Sequence, residues 1–182
     1  MRTAHVKDAV ALVKFAAKLE KLVEESGEGE EADLWTEIDV ANRLKEFRLA
    51  EAESRGESFP TIAGFDANGA IIHYNPLNNA KPALVKKSGM LLLDSGGQYL
   101  DGTTDVTRTF HYGDPSEYQK ESYTRVMMGQ INVALSIFPD DVVTGNELQT
   151  LARSPLWRRG MEYHHGTGHG IGSFLSVHEP PG

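Results

Sequence analysis

Two aspartates are placed where carboxylates could carry metal chemistry. Asp94 ends the apolar run at residues 90–93, which is typical of a core strand. A carboxylate there must be paired, hydrogen-bonded or metal-bound, because an isolated one is costly to desolvate. Asp105 follows eleven residues later in a second predicted strand, on the same face as Thr107 and Thr109. Two carboxylates on paired strands could face one cation site, although spacing alone favours one buried aspartate at a strand end and one surface aspartate.

Histidines form the second candidate group. His165, His169 and His178 lie within fourteen positions of a glycine-rich tail, and His73 follows the run at residues 70–72. Imidazole can act both as a metal ligand and as a proton shuttle, and glycine lets the backbone approach a substrate or ion. A single histidine is more often structural, but packing does not readily explain three in such a segment.

Strand register raises a difficulty for the two carboxylates. A two-residue turn at Asp101-Gly102 would pair Asp94 with Thr109, leaving Asp94 and Asp105 roughly 13 Å out of register. Convergence would then need a bulge or irregular loop within residues 95–102, and the glycines at 96 and 97 suit a bulge.

The donor types limit the chemistry. The chain has no cysteine, so thiolate zinc sites, thiol nucleophiles and disulfide scaffolds are excluded. Carboxylates with imidazoles favour manganese, cobalt, iron or zinc. Paired divalent ions can activate water and polarise a carbonyl, which points to hydrolysis. The chain contains no HExxH helix motif, P-loop or GxSxG elbow.

The elements that would position these residues are helices followed by strands, then helices and strands again, which predicts an α+β fold. Thr36 and Asp39 predict the N-terminus of a second helix, and Asp114-Pro115 predicts the start of a long helix that Pro139 ends. Two further helices are predicted over residues 6–19 and 147–157. Strands are predicted over residues 61–65, 70–74 (after an Asn68-Gly69 turn), 90–100, 103–112 and 173–178.

Composition fits one globular domain over residues 1–182. Lys and Arg number 18 and Asp and Glu 26, giving a net charge of −8. This acidic balance argues against a nucleic-acid partner. Nothing in the sequence predicts a membrane span or a signal peptide. We therefore expect a cytoplasmic protein with no nucleic-acid or membrane partner. The sequence is compatible with a homodimer.

Two segments, DSGGQYLDGTTDVTRTFH at 94–111 and HGTGHGIGSFLSVHE at 165–179, resemble the Xaa-Pro aminopeptidase (aminopeptidase P) family in its three-domain form. ARSPLW at 152–157 supports the resemblance. It implies the pita-bread fold around a centre of two divalent ions, manganese in preference to zinc, cobalt or iron. It also implies that Asp94 chelates one metal, Asp105 bridges both and His169 is the histidine ligand.

The same resemblance implies that His73, His165 and His178 line the substrate pocket, with His73 and His178 supporting proton transfer. The substrate it implies is a peptide with proline at the second position. The family has two further Glu ligands beyond the region matching residue 182, and N-terminal domains before the catalytic one. We therefore expect a C-terminally incomplete catalytic domain that is inactive or nearly so alone. The alternatives are a prolidase-type Xaa-Pro dipeptidase and a non-catalytic pita-bread peptide-binding module.

Overall fold

The structure, a computed structural model, describes residues 1–26, 34–139, 142–174 and 176–179. Contacts divide these residues into two compact units, one of residues 1–114 with 171–179 and one of residues 115–170. The expectation of a single domain over residues 1–182 stays a prediction. Among the described residues, no helix has the length and apolar content needed to cross a bilayer.

The first unit opens with two helices, α1 (Arg2–Glu25) and α2 (Glu37–Leu49). Helix α1 buries one stripe of side chains at helical spacing, among them Phe15 and Leu19. Helix α2 begins as predicted: the Thr36 side chain accepts from the Asp39 backbone N–H, and the Asp39 carboxylate accepts from the Thr36 backbone N–H.

Six short strands follow and form two antiparallel sheets. The strands are β1 (Ser54–Glu57), β2 (Ile62–Phe65), β3 (Met90–Ser95), β4 (Gly97–Tyr99), β5 (Gly102–Thr103) and β6 (Val106–His111). One sheet has the order β1-β4-β5 and the other β2-β3-β6. The strands predicted over 90–100 and 103–112 are thus each divided between two sheets.

The core lies between the two helices and one face of the β2-β3-β6 sheet. Leu91 and Leu93 are fully buried there, and alternate side chains of β3 point to the opposite face. The buried apolar cluster is Phe15, Leu19, Val23, Val40, Leu44, Ala63, Phe65, Val85, Leu91 and Leu93. One face of the central strand is thereby fixed, and Asp94 is left on the other.

The register of the β3–β6 ribbon corrects the sequence prediction. The turn occupies Leu100 and Asp101 rather than Asp101 and Gly102, because Tyr99 pairs with Gly102. As a result Asp94 pairs with Thr107 and not with Thr109. The ribbon breaks at Gly96, but the same register holds on both sides, so no residue is inserted and the bulge prediction is wrong.

Two predicted strands are also wrong. Residues 70–74 are not a strand: the Asn68-Gly69 pair lies in a 3₁₀ turn, Asp66–Ala70, and His73 has a positive φ of 55°. A second 3₁₀ turn covers Pro76–Asn78. In the tail, the only strand residues described after β7 (Gly170–Ile171) are β8 (His178–Glu179), rather than residues 173–178.

The second unit is a helix pair, α3 (Glu117–Ala134) and α4 (Gly145–Trp157). Ser116 is the N-cap of α3 in place of Asp114, because its hydroxyl accepts from the Gln119 backbone N–H. The helix also ends before the predicted Pro139. Helix α4 starts at a Thr144 capping box and contains Pro155 close to its end.

Candidate metal centre

Asp94 lies on the face of β3 that points away from the helical core. Ile62 of β2 and Thr107 of β6 stand opposite it on its two sides. Its Oδ1 atom is shielded from solvent and accepts no hydrogen bond from any residue the structure describes. A buried oxygen in that state is rare and calls for a reason, such as an ion it would bind.

The residue before Asp105 is bonded to the other strand of the ribbon. The Thr104 backbone N–H donates to the Gly97 carbonyl at 2.9 Å, and the Thr104 hydroxyl accepts from the Gly97 N–H at 2.8 Å. Because Asp94 pairs with Thr107, Asp105 is two residues out of register with Asp94 along the chain. The predicted separation of four residues is therefore reduced to two.

Gly96 permits this arrangement at the bend of the ribbon. A Cβ atom there would lie 1.9 Å from the Thr104 carbonyl oxygen and 2.3 Å from the Ser58 hydroxyl. That hydroxyl donates to the same Thr104 oxygen at 2.8 Å. The bend and the position of Asp105 thus depend on a residue without a side chain.

His178 belongs to the first unit and lies on a segment anchored to β5. The Phe174 backbone N–H donates to the Thr103 hydroxyl at 2.8 Å. A nitrogen of the His178 ring and a carboxylate oxygen of Asp105 lie within 4.8 Å of each other. Such a pair can contact one cation, with oxygen and nitrogen donors suited to a borderline divalent ion.

His73 lies beside His178, with ring centroids 6.4 Å apart. The structure therefore brings together two of the three imidazoles predicted to line a pocket, and places Asp105 next to one of them. His73 and His178 are both exposed, as substrate contact would require.

Glu37, which sequence reasoning missed, organises the loop that carries His73. Its fully buried carboxylate accepts from the backbone N–H groups of Phe65 and Ala83 at 2.7 and 3.0 Å. It also accepts from the Asn68 amide at 2.9 Å and the Tyr74 hydroxyl at 2.7 Å. Burial, more than the nearby hydrogen bonds, raises the pKa of Tyr74, so this hydroxyl remains a donor. One carboxylate thus ties down both ends and the middle of residues 65–83.

A buried ion pair, also missed, lies behind the strand that carries Asp94. The Arg48 guanidinium donates to the Asp8 carboxylate at 2.7 and 3.1 Å and to the Ser95 hydroxyl at 3.1 Å. The Tyr99 hydroxyl donates to Asp8 at 3.1 Å, and burial raises the pKa of Tyr99 well above its usual value. A sequence signal was available in the charged residue of each helix that falls on its buried stripe.

The other two predicted histidines belong to the second unit. His165 Nδ1 lies 2.7 Å from the Gly166 carbonyl oxygen, and His169 Nδ1 lies 2.7 Å from that of Gly170. A carbonyl can only accept, so each Nδ1 carries the proton and each Nε2 carries the lone pair of the neutral ring. This tautomer suits Nε2 for a metal or substrate. That His169 joins Asp94 and Asp105 around a metal stays a prediction.

Two independent features of the structure suit a divalent metal ion. One is the buried, unpartnered Asp94 oxygen, and the other is the Asp105–His178 pair. Oxygen and imidazole donors without thiolate are the set from which a hydrolytic site of this kind would be built.

The chain belongs to metallopeptidase family M24, whose family model matches residues 1–182. It is 48% identical over 182 residues to the Xaa-Pro aminopeptidase 1 of Dictyostelium discoideum, covering all of this chain and 28% of that protein. It is likewise 48% identical over 181 residues to the aminopeptidase P2 of Arabidopsis thaliana, covering 24% of it. The chain thus spans about a quarter of the length of these relatives.

Solved structures give the same result. The X-prolyl aminopeptidase of Caenorhabditis elegans, described as a cytosolic enzyme with a di-nuclear active site, has a TM-score of 0.90 and 40% identity over all of this chain and 28% of that one. The Xaa-Pro dipeptidase of Bacillus anthracis has a TM-score of 0.77 and 28% identity, over 98% and 45% of the two chains. The predicted resemblance and the α+β pita-bread fold are confirmed.

Proposed function

We propose that this chain is part of the catalytic domain of a metal-dependent aminopeptidase that hydrolyses the bond between an N-terminal residue and a following proline. The observation that carries the proposal is the unpartnered, buried Oδ1 of Asp94, on the strand that pairs with β6, which begins directly after Asp105. The name of the Dictyostelium discoideum relative, Xaa-Pro aminopeptidase 1, supports the substrate. A cytosolic relative likewise supports a cytoplasmic location.

Asp94, Asp105 and His169 would hold two divalent ions, for which we propose manganese. When bound, paired divalent ions lower the pKa of a water molecule and polarise a scissile carbonyl. The carboxylates of Asp94 and Asp105 would supply the negative charge, and His169 would present Nε2, since its Nδ1 donates to a carbonyl. Two Glu ligands, implied by the family beyond residue 182, would complete the charge balance.

The histidines would act on the substrate. His73 and His178, 6.4 Å apart, are close enough to contact neighbouring atoms of one peptide. Imidazole can accept or donate a proton near neutral pH, so His178 beside Asp105 is suited to proton transfer at the departing amine. His165 would bind the substrate through Nε2.

The test compares this chain with one extended through the two Glu ligands. Each is incubated with manganese and a peptide whose second residue is proline, and the released N-terminal residue is measured. We expect release by the extended chain, little by the 182-residue chain, and none by the extended chain with Asp94→Asn or Asp105→Asn. Full activity in the short chain, or activity that survives both substitutions, would contradict the proposal.

A second candidate is a prolidase-type dipeptidase, which the TM-score of 0.77 to the Bacillus anthracis Xaa-Pro dipeptidase supports. The two activities separate on substrate length. Cleavage of an Xaa-Pro dipeptide in preference to a tripeptide would favour the dipeptidase. Peptide binding without cleavage by the extended chain would favour the non-catalytic module.

A further inference from the structure

Arg153, on helix α4, is bonded to the chain segment that leads to His165. Its Nε donates to Gln149 at 3.1 Å, and its Nη1 donates to the Glu162 carboxylate at 2.6 Å and the Tyr163 carbonyl at 2.7 Å. Its Nη2 donates to the carbonyl of His165 itself at 2.9 Å. The side chain is only 14% exposed. A single guanidinium therefore bonds two main-chain carbonyls two residues apart.

Aromatic stacking continues this arrangement to the imidazole. The Arg153 guanidinium lies 4.1 Å from the centroid of the Tyr163 ring. The Tyr163 and His165 rings are in turn stacked, with centroids 4.6 Å apart and planes inclined by 27°. Guanidinium over an aromatic face is favourable, and so is offset ring stacking. The ring of His165 is thus oriented through both its backbone and its neighbour.

Glu162 keeps the guanidinium in place. Its carboxylate accepts from the Trp157 indole N–H at 2.6 Å and from the Tyr163 backbone N–H at 2.8 Å. The Trp157 hydrogen bond is the main cause that lowers the pKa of Glu162 to about 2. Glu162 is therefore ionised at neutral pH, where its carboxylate pairs with the Arg153 guanidinium.

We propose that Arg153 is a positioning residue that sets the orientation of the His165 ring. The inference rests on the proposed function only in giving His165 a substrate to bind. Arginine is needed because its planar fork donates in several fixed directions at once, which a lysine ammonium cannot reproduce. The ARSPLW segment then has a physical role, because it carries the arginine that bonds residues 162–165.

The test uses Arg153→Lys, with Arg125→Lys as the matched control. Arg125 lies on α3 of the same unit and also bonds a carboxylate, Glu121, and a main-chain carbonyl, that of Pro155, at 2.8 Å. Neither partner of Arg125 lies in residues 162–165. NMR spectroscopy of the 182-residue chain would measure the nuclear Overhauser contact between the Tyr163 and His165 rings and the ring-current shift of His165.

In Arg153→Lys we expect the stacked arrangement to lose at least about tenfold in population, because each hydrogen bond to a charged donor is worth about that factor. In Arg125→Lys both signals should match the wild type. Glu162→Gln, which keeps Arg153, should give an intermediate loss. A wild-type His165 signal in Arg153→Lys, an equal loss in Arg125→Lys, or unfolding of Arg153→Lys would each overturn the proposal.

A second measurement depends on the proposed function and is read separately. In the chain extended through the Glu ligands, Arg153→Lys should raise KM for the proline peptide several-fold more than it lowers kcat, since His165 binds substrate. If the NMR signals change but no variant or wild type cleaves peptide, the aminopeptidase proposal fails while the positioning role stands. Altered NMR signals with unchanged kinetics would overturn the link to substrate.

Discussion

Asp94→Ala is expected to stabilise the metal-free chain, although Asp94 lies at the candidate metal centre. Its Oδ1 atom is shielded from solvent without a hydrogen-bond donor among the described residues. Such an oxygen has lost water and gained nothing in exchange, which lowers the free energy of unfolding. Alanine removes the oxygen and leaves the backbone pairing with Ile62 and Thr107 intact.

The magnitude follows from that one atom. An unsatisfied buried acceptor costs about 1–3 kcal/mol. Aspartate and alanine are both poor strand formers, so the backbone preference changes little, and the small loss of packing offsets part of the gain. We expect the free energy of unfolding to rise by about 1–2 kcal/mol, which for a chain of this size raises Tm by roughly 2–8 °C.

Thermal unfolding by circular dichroism would measure this in EDTA and again with manganese. In EDTA, Asp94→Ala should melt above the wild type. With manganese at a hundredfold excess over its Kd, the wild type alone gains about 2.7 kcal/mol, so the order should reverse. Asp39→Ala is the matched control, because its carboxylate is hydrogen-bonded at 2.9 Å to the Thr36 backbone and its loss should destabilise in both conditions.

A variant that melts below the wild type in EDTA would show that Oδ1 has a partner in solution, and the expected gain would not exist. The same order of melting in EDTA and manganese would remove Asp94 from the metal centre. Either result is independent of peptidase activity.

Further predictions concern both units. Glu37→Gln should lower the free energy of unfolding by on the order of 3 kcal/mol, because its amide NH₂ would face donors; urea unfolding measures this, and exposed Glu46→Gln on the same helix should be neutral. Gly129→Ala should cost about 1–3 kcal/mol, since a Cβ there would lie 2.1 Å from a carbonyl oxygen of α4; Gly168→Ala, with open space around it, should not. Glu162, whose pKa falls from 4.5 to about 2 on folding, stabilises above pH 4.5, and this contribution should be lost as the pH falls toward 2; a pH series of melts should show a flatter profile for Glu162→Gln.

Local patterns predicted the helices of the first unit well. The Thr36–Asp39 capping box forms as expected, and the apolar stripe of α1 is buried. In each case the interactions that decide the structure lie within a few residues of one another, so the sequence contains them.

Tertiary contacts decided the features that sequence reasoning predicted wrongly. The turn at Leu100 and Asp101 contacts α1, where the Lys7 ammonium pairs with the Asp101 carboxylate at 3.2 Å. A Cβ atom at position 102 would lie 2.9 Å from the Cα atom of Met1. None of these contacts is visible in the local turn preference.

The loop carrying His73 was predicted as a strand for a similar reason. Ile71 and Ile72 favour a strand locally, but in the structure both are about half exposed. Glu37 holds the loop in its place through the Tyr74 hydroxyl and other donors. In the sequence, Glu37 stands at helical spacing from the buried Val40 and Leu44, but the groups that its carboxylate bonds lie 28 or more residues away and cannot be read from that spacing.

The single ribbon that carries both aspartates also sets an order of assembly. Asp94 and Asp105 are joined by a hairpin with a two-residue loop, so their approach closes a short loop at little entropic cost. His178 is more than seventy residues from Asp105 along the chain, and contacts between such distant positions form late. We therefore expect substitutions at Leu100 mainly to slow folding and substitutions at Phe174 mainly to speed unfolding, which the two arms of a chevron plot would separate.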